Sequence, residues 1–190
     1  SKSPDILVAG CGTGQQSIST AARFKSSKVL AVDLSLSSLA YAKRKTEELN
    51  FSNIEYMQAD ILNLHLLDRQ FDLVESVGVL HHMSDPLAGW ETLVGCLKEG
   101  GLMRIGLYSE LARRNVAEIK REIISVRINP NASDMKGFRE KLLASDQPLH
   151  EVLHSISDFY SLSEFRDLLF HAQEHCFTIP QIQEELQGLG

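Results

Sequence analysis

The 190-residue sequence contains few cysteines, few prolines and no long hydrophobic run. Cys11, Cys96 and Cys176 are far apart and form no CxxC pair, which argues against a disulfide framework and against a zinc ribbon. Because no apolar stretch approaches the ~20 residues that span a bilayer, we expect no membrane partner. Basic residues are outnumbered: 19 Lys and Arg against 25 Asp and Glu give a net charge of −6, which argues against binding to duplex nucleic acid. The remaining composition is typical of a folded domain, and we predict a cytoplasmic one.

Strand-like and helix-like segments alternate over the first half of the sequence. Short apolar runs are typical of strands buried on both faces, and the segments between them have the apolar spacing of helices. The predicted strands cover residues 6–9, 28–32, 53–59, 71–77 and 102–107, and the predicted helices cover 15–24, 36–49 and 86–97. Ser35 is the predicted N-cap of the second helix. This order predicts the α/β class, with a doubly wound and mostly parallel sheet connected by right-handed crossovers.

The second half of the sequence has a different pattern. After Tyr108 we find no further strand, and we predict helices near residues 109–128, 134–145, 161–174 and 179–187. Glu99-Gly100-Gly101 is predicted as a turn before the fifth strand. We therefore divide the chain into an α/β core, residues 1–107, and a helical region, residues 108–190.

A glycine-rich segment, Gly10-Cys11-Gly12-Thr13-Gly14, lies between the first predicted strand and the first predicted helix. Glycines permit a tight turn and leave room for a ligand close to the backbone. Asp33 ends the second predicted strand, where a carboxylate can accept hydrogen bonds from ribose hydroxyls. A dinucleotide or S-adenosylmethionine would suit this arrangement. The dinucleotide fingerprint GxGxxG requires a glycine at position 15, which is Gln15, so S-adenosylmethionine is favoured.

Five stretches resemble, in order, the motifs of the class I S-adenosylmethionine-dependent methyltransferases, which have a Rossmann-like fold. They are residues 6–14, 31–35, 58–61, 71–82 and 97–103. The resemblance implies direct in-line transfer of the methyl group of S-adenosylmethionine to a small-molecule or protein acceptor. It also implies that the cofactor is bound by Gly10, Cys11, Gly12, Gly14, Asp33, Leu34, Asp60, Ile61, Ser76 and Val77.

The resemblance assigns a part of the cofactor to each segment. The glycine loop would pass close to the methionine and ribose parts, Asp33 would hold the ribose hydroxyls, and Asp60 with Ile61 would frame the adenine. Residues 76–79 would line the methyl side. One position departs from the family pattern: the acid that usually stands two residues before the first glycine is Val8 in this sequence.

His81 and His82 are the candidate catalytic residues. Both follow the fourth predicted strand, and an imidazole titrates near neutral pH, so either could remove a proton from a hydroxyl or amine acceptor. A packing or capping role is the alternative for each, because many methyltransferases of this kind need no base.

A closer similarity exists to an uncharacterised bacterial group in which this domain follows tetratricopeptide repeats. It is carried by residues 31–49, 78–90, 106–114 and 158–175. This similarity implies repeats upstream of the chain. The family also implies a final pair of strands beyond residue 190, so that the chain would be truncated before them, and a helical region that completes the domain and covers the acceptor site.

Two alternatives to a methyltransferase remain open. His150, Glu151 and His154 form an HExxH pattern, and residues 171–175 form the inverted pattern, so a zinc-dependent hydrolase is one alternative. Because a helix that begins at Pro148 places His150 in its first turn, we expect these histidines on helix surfaces and predict no metal. The other alternative is a non-catalytic module that binds the cofactor without turnover.

Overall fold

The computed structural model describes residues 3–171 and 173–189 of the chain. These residues form two compact units. The sheet unit consists of the described residues up to Leu107 together with those from Ile179 onward, and the helical unit is Tyr108–Thr178. After residue 107 the chain therefore leaves the sheet unit, and its last helix returns to it. The predicted helical region 108–190 is therefore not continuous, because its last helix belongs to the sheet unit. That the helical region covers the acceptor site stays a prediction.

Five parallel strands make the sheet, which confirms the predicted fold class. They are β1 (Asp5–Ala9), β2 (Lys28–Asp33), β3 (Ile54–Gln58), β4 (Phe71–Val77) and β5 (Leu97–Gly106). Their order is β3-β2-β1-β4-β5, so the chain winds outward from β1 in one direction and then in the other. The carboxyl ends of β1, β2 and β4 meet where this direction reverses, which is where open α/β sheets bind ligands.

Helices cover both faces of the sheet and build the second unit. They are α1 (Gln15–Arg23), α2 (Leu36–Glu48), α3 (Pro86–Gly95), α4 (Glu110–Ser125), α5 (Ala132–Leu143), α6 (Pro148–Glu151), α7 (Leu162–Phe170) and α8 (Ile179–Leu189), with 3-10 helices at Ile61–Leu67, Leu80–His82, Val152–Ser155 and Ser157–Phe159. Ser35 caps α2 as predicted, since its hydroxyl accepts the Ser38 amide at 3.2 Å. None of the helices within the described ranges combines the length and the apolar character needed to cross a bilayer.

The strands bury alternate residues on opposite faces of the sheet. Leu7 and Val74 pack on the face that carries α3 and α8, whereas Ile6 and Val8 pack on the face that carries α1 and α2. The apolar residues of β1 and β2 are thus all buried. The predicted site residues stand at the carboxyl ends of the strands.

The predicted turn at residues 99–101 is wrong in one respect. It lies inside β5, where the pairing with β4 shifts between Phe71↔Leu97 and Leu73↔Leu102. Gly100 has a φ of 71°, so this glycine accommodates the irregularity without ending the strand.

The helical unit has its own hydrophobic core and two short strands that were not predicted. Val116, Ile119 and Ile123 of α4 face the core, together with one face of α5 and one of α7. Strands β6 (Tyr108–Ser109) and β7 (Cys176–Phe177) pair in parallel. Two-residue strands carry no periodicity, so their pairing is visible only in the fold.

The pair of short strands places Glu174 beside α4. Both oxygens of Glu174 accept from Arg113, with Nε–Oε1 at 3.0 Å and Nη2–Oε2 at 3.1 Å. Lys120 Nζ lies 2.6 Å from Oε2, and the Arg113 guanidinium stacks 3.7 Å from the centre of the Tyr108 ring. The three charged side chains are 10–20% exposed, so this cluster is an internal connection of the helical unit.

Candidate functional site

A cavity of about 160 Å³ lies at the carboxyl ends of the strands in the sheet unit. Gly10 follows β1, Asp33 ends β2, Asp60 follows β3 and Val79 follows β4. The cavity is lined by Gly10, Asp33, Leu34, Ala59, Asp60, Ile61, Val79 and Met83. Two carboxylates thus share one small space with apolar side chains and a glycine, at the edge where α/β sheets bind ligands.

The fold brings half of the predicted cofactor residues to this cavity. Those that line it are Gly10, Asp33, Leu34, Asp60 and Ile61; those outside the lining are Cys11, Gly12, Gly14, Ser76 and Val77. Ala59 and Met83 were missed as cofactor residues, and Val79, which was predicted only to line the methyl side, also lines this cavity. The only sequence clue to Met83 is Gly89, a glycine inside a predicted helix. An added Cβ at this position of α3 would lie 2.6 Å from Met83 Sδ, so the glycine makes room for the methionine.

The three glycines of the loop have different reasons to be glycine. All have positive φ, at 74°, 52° and 92° for Gly10, Gly12 and Gly14. A Cβ on Gly10 would lie 2.3 Å from Val79 Cγ2, and one on Gly14 would lie 2.7 Å from Ala42 Cβ of α2. A Cβ on Gly12 would meet nothing within 4 Å. Gly14 therefore serves helix packing, Gly10 serves the close approach of Val79, and Gly12 leaves open space.

Asp33 fixes the glycine loop to the second strand. Its Oδ2 accepts from the Gly12 amide at 2.7 Å, and its Oδ1 accepts from the Ser35 amide at 2.8 Å. A carboxylate has about four acceptor positions, so each oxygen can accept one hydrogen bond more. Asp33 thus shapes the loop and still presents acceptor capacity to the cavity that it lines.

Asp60 has a local role beside its place in the cavity. Its Oδ1 accepts from the Leu62 amide at 3.0 Å and caps the 3-10 helix that follows. Ile61 is 7% exposed and continues into the hydrophobic core. The short helix therefore holds both residues at the cavity.

A family model described as a methyltransferase domain matches residues 6–101 of the chain. The chain belongs to the methyltransferase domain family. The matched residues include the glycine loop, both carboxylates of the cavity and all five strands up to the middle of β5. The resemblance to class I methyltransferases is confirmed at this level.

Relatives of this methyltransferase domain include an uncharacterized protein of Synechococcus sp., 33% identical over 98% of the chain and matched over 47% of its own length. The malonyl-[acyl-carrier protein] O-methyltransferase of Marinomonas sp. is 33% identical over 77% of the chain and 50% of its own length. The structure of PKMT2 from Rickettsia typhi in complex with AdoHcy shares the fold, with a TM-score of 0.76 and 18% identity, over 100% of the chain and 40% of that protein. The chain thus spans about half, or less, of the length of these proteins.

Cys11 is a structural residue of the methyltransferase domain. Burial, with a smaller contribution from the negative charge of Asp33, raises the pKa of the Cys11 thiol to about 12. The side chain therefore stays protonated at neutral pH and is unreactive as a nucleophile. In the loop, the Cys11 amide donates to the Val32 carbonyl at 2.9 Å, and the thiol lies 3.9 Å from the Gly12 carbonyl oxygen.

The end of β4 combines a buried hydroxyl with open space. Ser76 is 1% exposed, and its Oγ has no hydrogen-bond partner within the described part of the chain. Val77 is 40% exposed, and Gly78, with a φ of 80°, would have no atom within 4 Å of an added Cβ. Buried polar atoms are normally satisfied, so the Ser76 hydroxyl points to a ligand or water at this strand end.

The two candidate catalytic histidines differ in accessibility. Both belong to the 3-10 helix Leu80–His82, and their ring centres lie 4.3 Å apart. His81 is 1% exposed, whereas His82 is partly exposed. His81 therefore packs in the interior, and His82 is the more accessible of the two.

The histidines of the HExxH pattern have other partners, and the expected surface position of His150 is wrong. His150 is 5% exposed; its Nδ1 lies 2.8 Å from Ser145 Oγ and its Nε2 2.9 Å from Glu122 Oε2. His154 Nε2 lies 3.3 Å from the Leu142 carbonyl. The short helix α6 ends at Glu151, so the pattern does not lie on one regular helix. Within residues 3–171 and 173–189, no three potential metal ligands form a group.

Proposed function

We propose that this domain binds S-adenosylmethionine at the cavity beside the glycine loop and transfers its methyl group to a small-molecule or protein acceptor. The observation that carries the proposal is the cavity itself. In a chain of the methyltransferase domain family, this cavity is lined by the carboxylates of Asp33 and Asp60 and by Gly10, which lies close to Val79.

The residues of the cavity fit the nucleoside part of the cofactor. Its volume of about 160 Å³ is below the ~300 Å³ of a complete small-molecule site, so we assign adenine and ribose to it and not the whole molecule. Apolar side chains suit the adenine ring, and the two carboxylates suit its amine and the ribose hydroxyls. The apolar lining is formed by Leu34, Ala59, Ile61, Val79 and Met83.

We assign the methionine part to the ends of β1 and β4. Gly12 and Gly78 leave open space around the backbone there, and Ser76 offers a buried hydroxyl without a hydrogen-bond partner among the described residues. Glycines allow a ligand to approach the main chain closely, and a ligand that reached Ser76 would satisfy its hydroxyl.

The chemistry divides between cofactor and protein. Bound S-adenosylmethionine supplies an electrophilic methyl group on a sulfonium, which is a good leaving group. The chain's own residues bind and orient the reactants and exclude water. If the acceptor is a hydroxyl or an amine, we assign removal of its proton to His82, since His81 is buried.

One relative supports the protein-bound class of acceptor in this proposal: the Marinomonas enzyme is a malonyl-[acyl-carrier protein] O-methyltransferase. From the closer similarity of residues 31–49 and 158–175, we also propose tetratricopeptide repeats upstream, which the mass of the native gene product would test. A cytoplasmic location stays a prediction.

Calorimetry with S-adenosylhomocysteine tests the cofactor assignment. We expect the chain to bind it, and we expect Asp33→Ala to weaken binding by at least about tenfold, because charge-assisted hydrogen bonds to the ligand and to Gly12 are lost together. No detectable binding by the unmodified chain would contradict the proposal.

Asp72→Ala is the matched control for this experiment. Asp72 also accepts a β1 amide, that of Asp5 at 2.8 Å, but it lies at the opposite end of the sheet. We expect it to affect stability and to leave affinity unchanged. An equal loss of affinity in both variants would show that Asp33 acts only through the stability of the sheet.

Asp60→Asn distinguishes adenine recognition from helix capping. An asparagine caps helices about as well as an aspartate, so stability should change little; with its Oδ1 on the Leu62 amide, the second position becomes an NH2 group, which donates and cannot accept from the adenine amine. We expect affinity to fall by about tenfold. Asp85→Asn is the control, because Asp85 caps α3 through Leu87 and Ala88 outside the cavity. Unchanged affinity in Asp60→Asn would leave Asp60 with its capping role only.

A further inference from the structure

Glu75 is a charged residue inside the sheet that the proposed chemistry does not use. It lies on β4, is 2% exposed, and is in register with Val8 of β1 and with Arg104 of β5. A carboxylate at this depth is destabilising unless hydrogen bonds and an opposite charge compensate for its lost hydration. Its partners therefore indicate what it does.

The partners of Glu75 come from two elements. Arg104 Nη1 of the edge strand, whose side chain is half exposed, donates to Oε1 at 3.1 Å. Gln16 Nε2 donates to Oε2 at 3.2 Å, and Thr20 Oγ1 donates to the same oxygen. Gln16 and Thr20 are one turn apart on α1, so a single carboxylate joins β4 both to β5 and to the first two turns of α1.

The first turn of α1 is continuous with the glycine loop. The helix begins at Gln15 directly after Gly14, which has a φ of 92° and no side chain to cap it. The Ile18 amide and the Ser17 hydroxyl bond to the Gly14 carbonyl at 2.9 and 3.0 Å. A contact that holds Gln16 therefore also sets where the loop ends.

We propose that Glu75 is the positioning residue of the glycine loop for cofactor binding, an inference that rests on the proposed function. Val8 occupies the place of the acid in the family that the sequence resembles. Because Val8 and Glu75 are register partners in parallel strands, their side chains leave the same face of the sheet, toward α1. Compared with the family pattern, the carboxylate thus stands one strand away, on β4 instead of β1, and it supports the glycine loop through α1.

The test compares S-adenosylhomocysteine binding by calorimetry, well below the unfolding temperature, for the unmodified chain and Glu75→Gln. The amide keeps the size of the side chain but loses the charge and one acceptor, so we expect affinity to fall by about tenfold. Glu55→Gln is the control, because the Glu55 side chain on β3 is 72% exposed and should leave affinity unchanged. Equal affinity of Glu75→Gln and the unmodified chain would overturn the inference. Failure of the unmodified chain to bind would instead contradict the proposed function.

Relocating the carboxylate separates positioning from stability alone. Val8→Glu combined with Glu75→Val places the acid on the same face, one strand away, and should recover most of the affinity that Glu75→Val loses. A double variant that binds no better than Glu75→Val would overturn the equivalence of the two positions.

If Glu75→Gln does not fold, a second pair of substitutions tests whether Glu75 positions the glycine loop. Gln16→Met with Thr20→Val removes both donors of α1 and leaves the pair of Glu75 with Arg104 intact. We expect the same loss of about tenfold in affinity. Unchanged affinity in this variant would overturn the inference.

Discussion

Replacing Gly10 with alanine is expected to destabilise the sheet unit by about 2–5 kcal/mol and to abolish S-adenosylhomocysteine binding. The residue has a φ of 74°, which a side chain strains, and an added Cβ would lie 2.3 and 2.7 Å from the γ carbons of Val79. The backbone is held in place because the Gly10 amide donates to the Val32 carbonyl at 2.8 Å. Gly10 also lines the cavity, so a displaced Val79 would disturb the ligand site.

The single tryptophan provides the measurement. Trp90 is 4% exposed in the core of the sheet unit, so its fluorescence during urea unfolding reports the stability of that unit. Gly12→Ala is the matched control: it has the same kind of strain, with a φ of 52°, but open space around the added carbon. We expect Gly12→Ala to cost only about 1–2 kcal/mol.

A second substitution tests the steric reason. Val79→Ala removes both γ carbons, so Gly10→Ala with Val79→Ala should recover part of the stability lost by Gly10→Ala. If the double variant is no more stable than Gly10→Ala, the clash with Val79 is not the cause of the loss.

Replacing Glu174 with glutamine is expected to destabilise the helical unit by about 3–5 kcal/mol, because it leaves two nearly buried cations without an opposite charge. Arg113 and Lys120 are 13% and 20% exposed. Urea unfolding followed by far-ultraviolet circular dichroism measures the effect. Glu118→Gln is the control, since Glu118 is exposed on the same helix, and Lys120→Met added to Glu174→Gln should recover part of the loss.

The same ion pairs predict how stability depends on pH. Burial favours the protonated form of Glu174, but the hydrogen bonds from Lys120 and Arg113 outweigh it and hold the pKa below its ordinary value of 4.5. The carboxylate therefore stabilises the fold fully above the ordinary pKa, and this contribution is lost as the pH falls through the lower pKa of the folded state. The difference in stability between the unmodified chain and Glu174→Gln should be largest at neutral pH and shrink in acid. A difference that is constant with pH would contradict the assigned role.

Local sequence predicted the sheet unit well. The predicted strand 71–77 is β4, and the predicted cap Ser35 caps α2, because buried strands are short apolar runs and caps need particular residue types. Prediction failed where structure depends on distant segments. Strands β6 and β7 are two residues long and exist only because Tyr108 and Cys176 meet. His150 is buried because α4 supplies Glu122 as its partner.

The sequence by itself determined the alternation of strands and helices, the glycine loop and the carboxylate at the end of β2, because each depends on residues close together in the chain. Only the tertiary structure decided what each loop glycine is for, that Met83 lines the cavity, and that the carboxylate of Glu75 is buried in register with Val8. These properties depend on strand register and on the packing of helices against the sheet. Register and packing both bring together residues that are far apart in sequence, so no local sequence pattern predicts these properties.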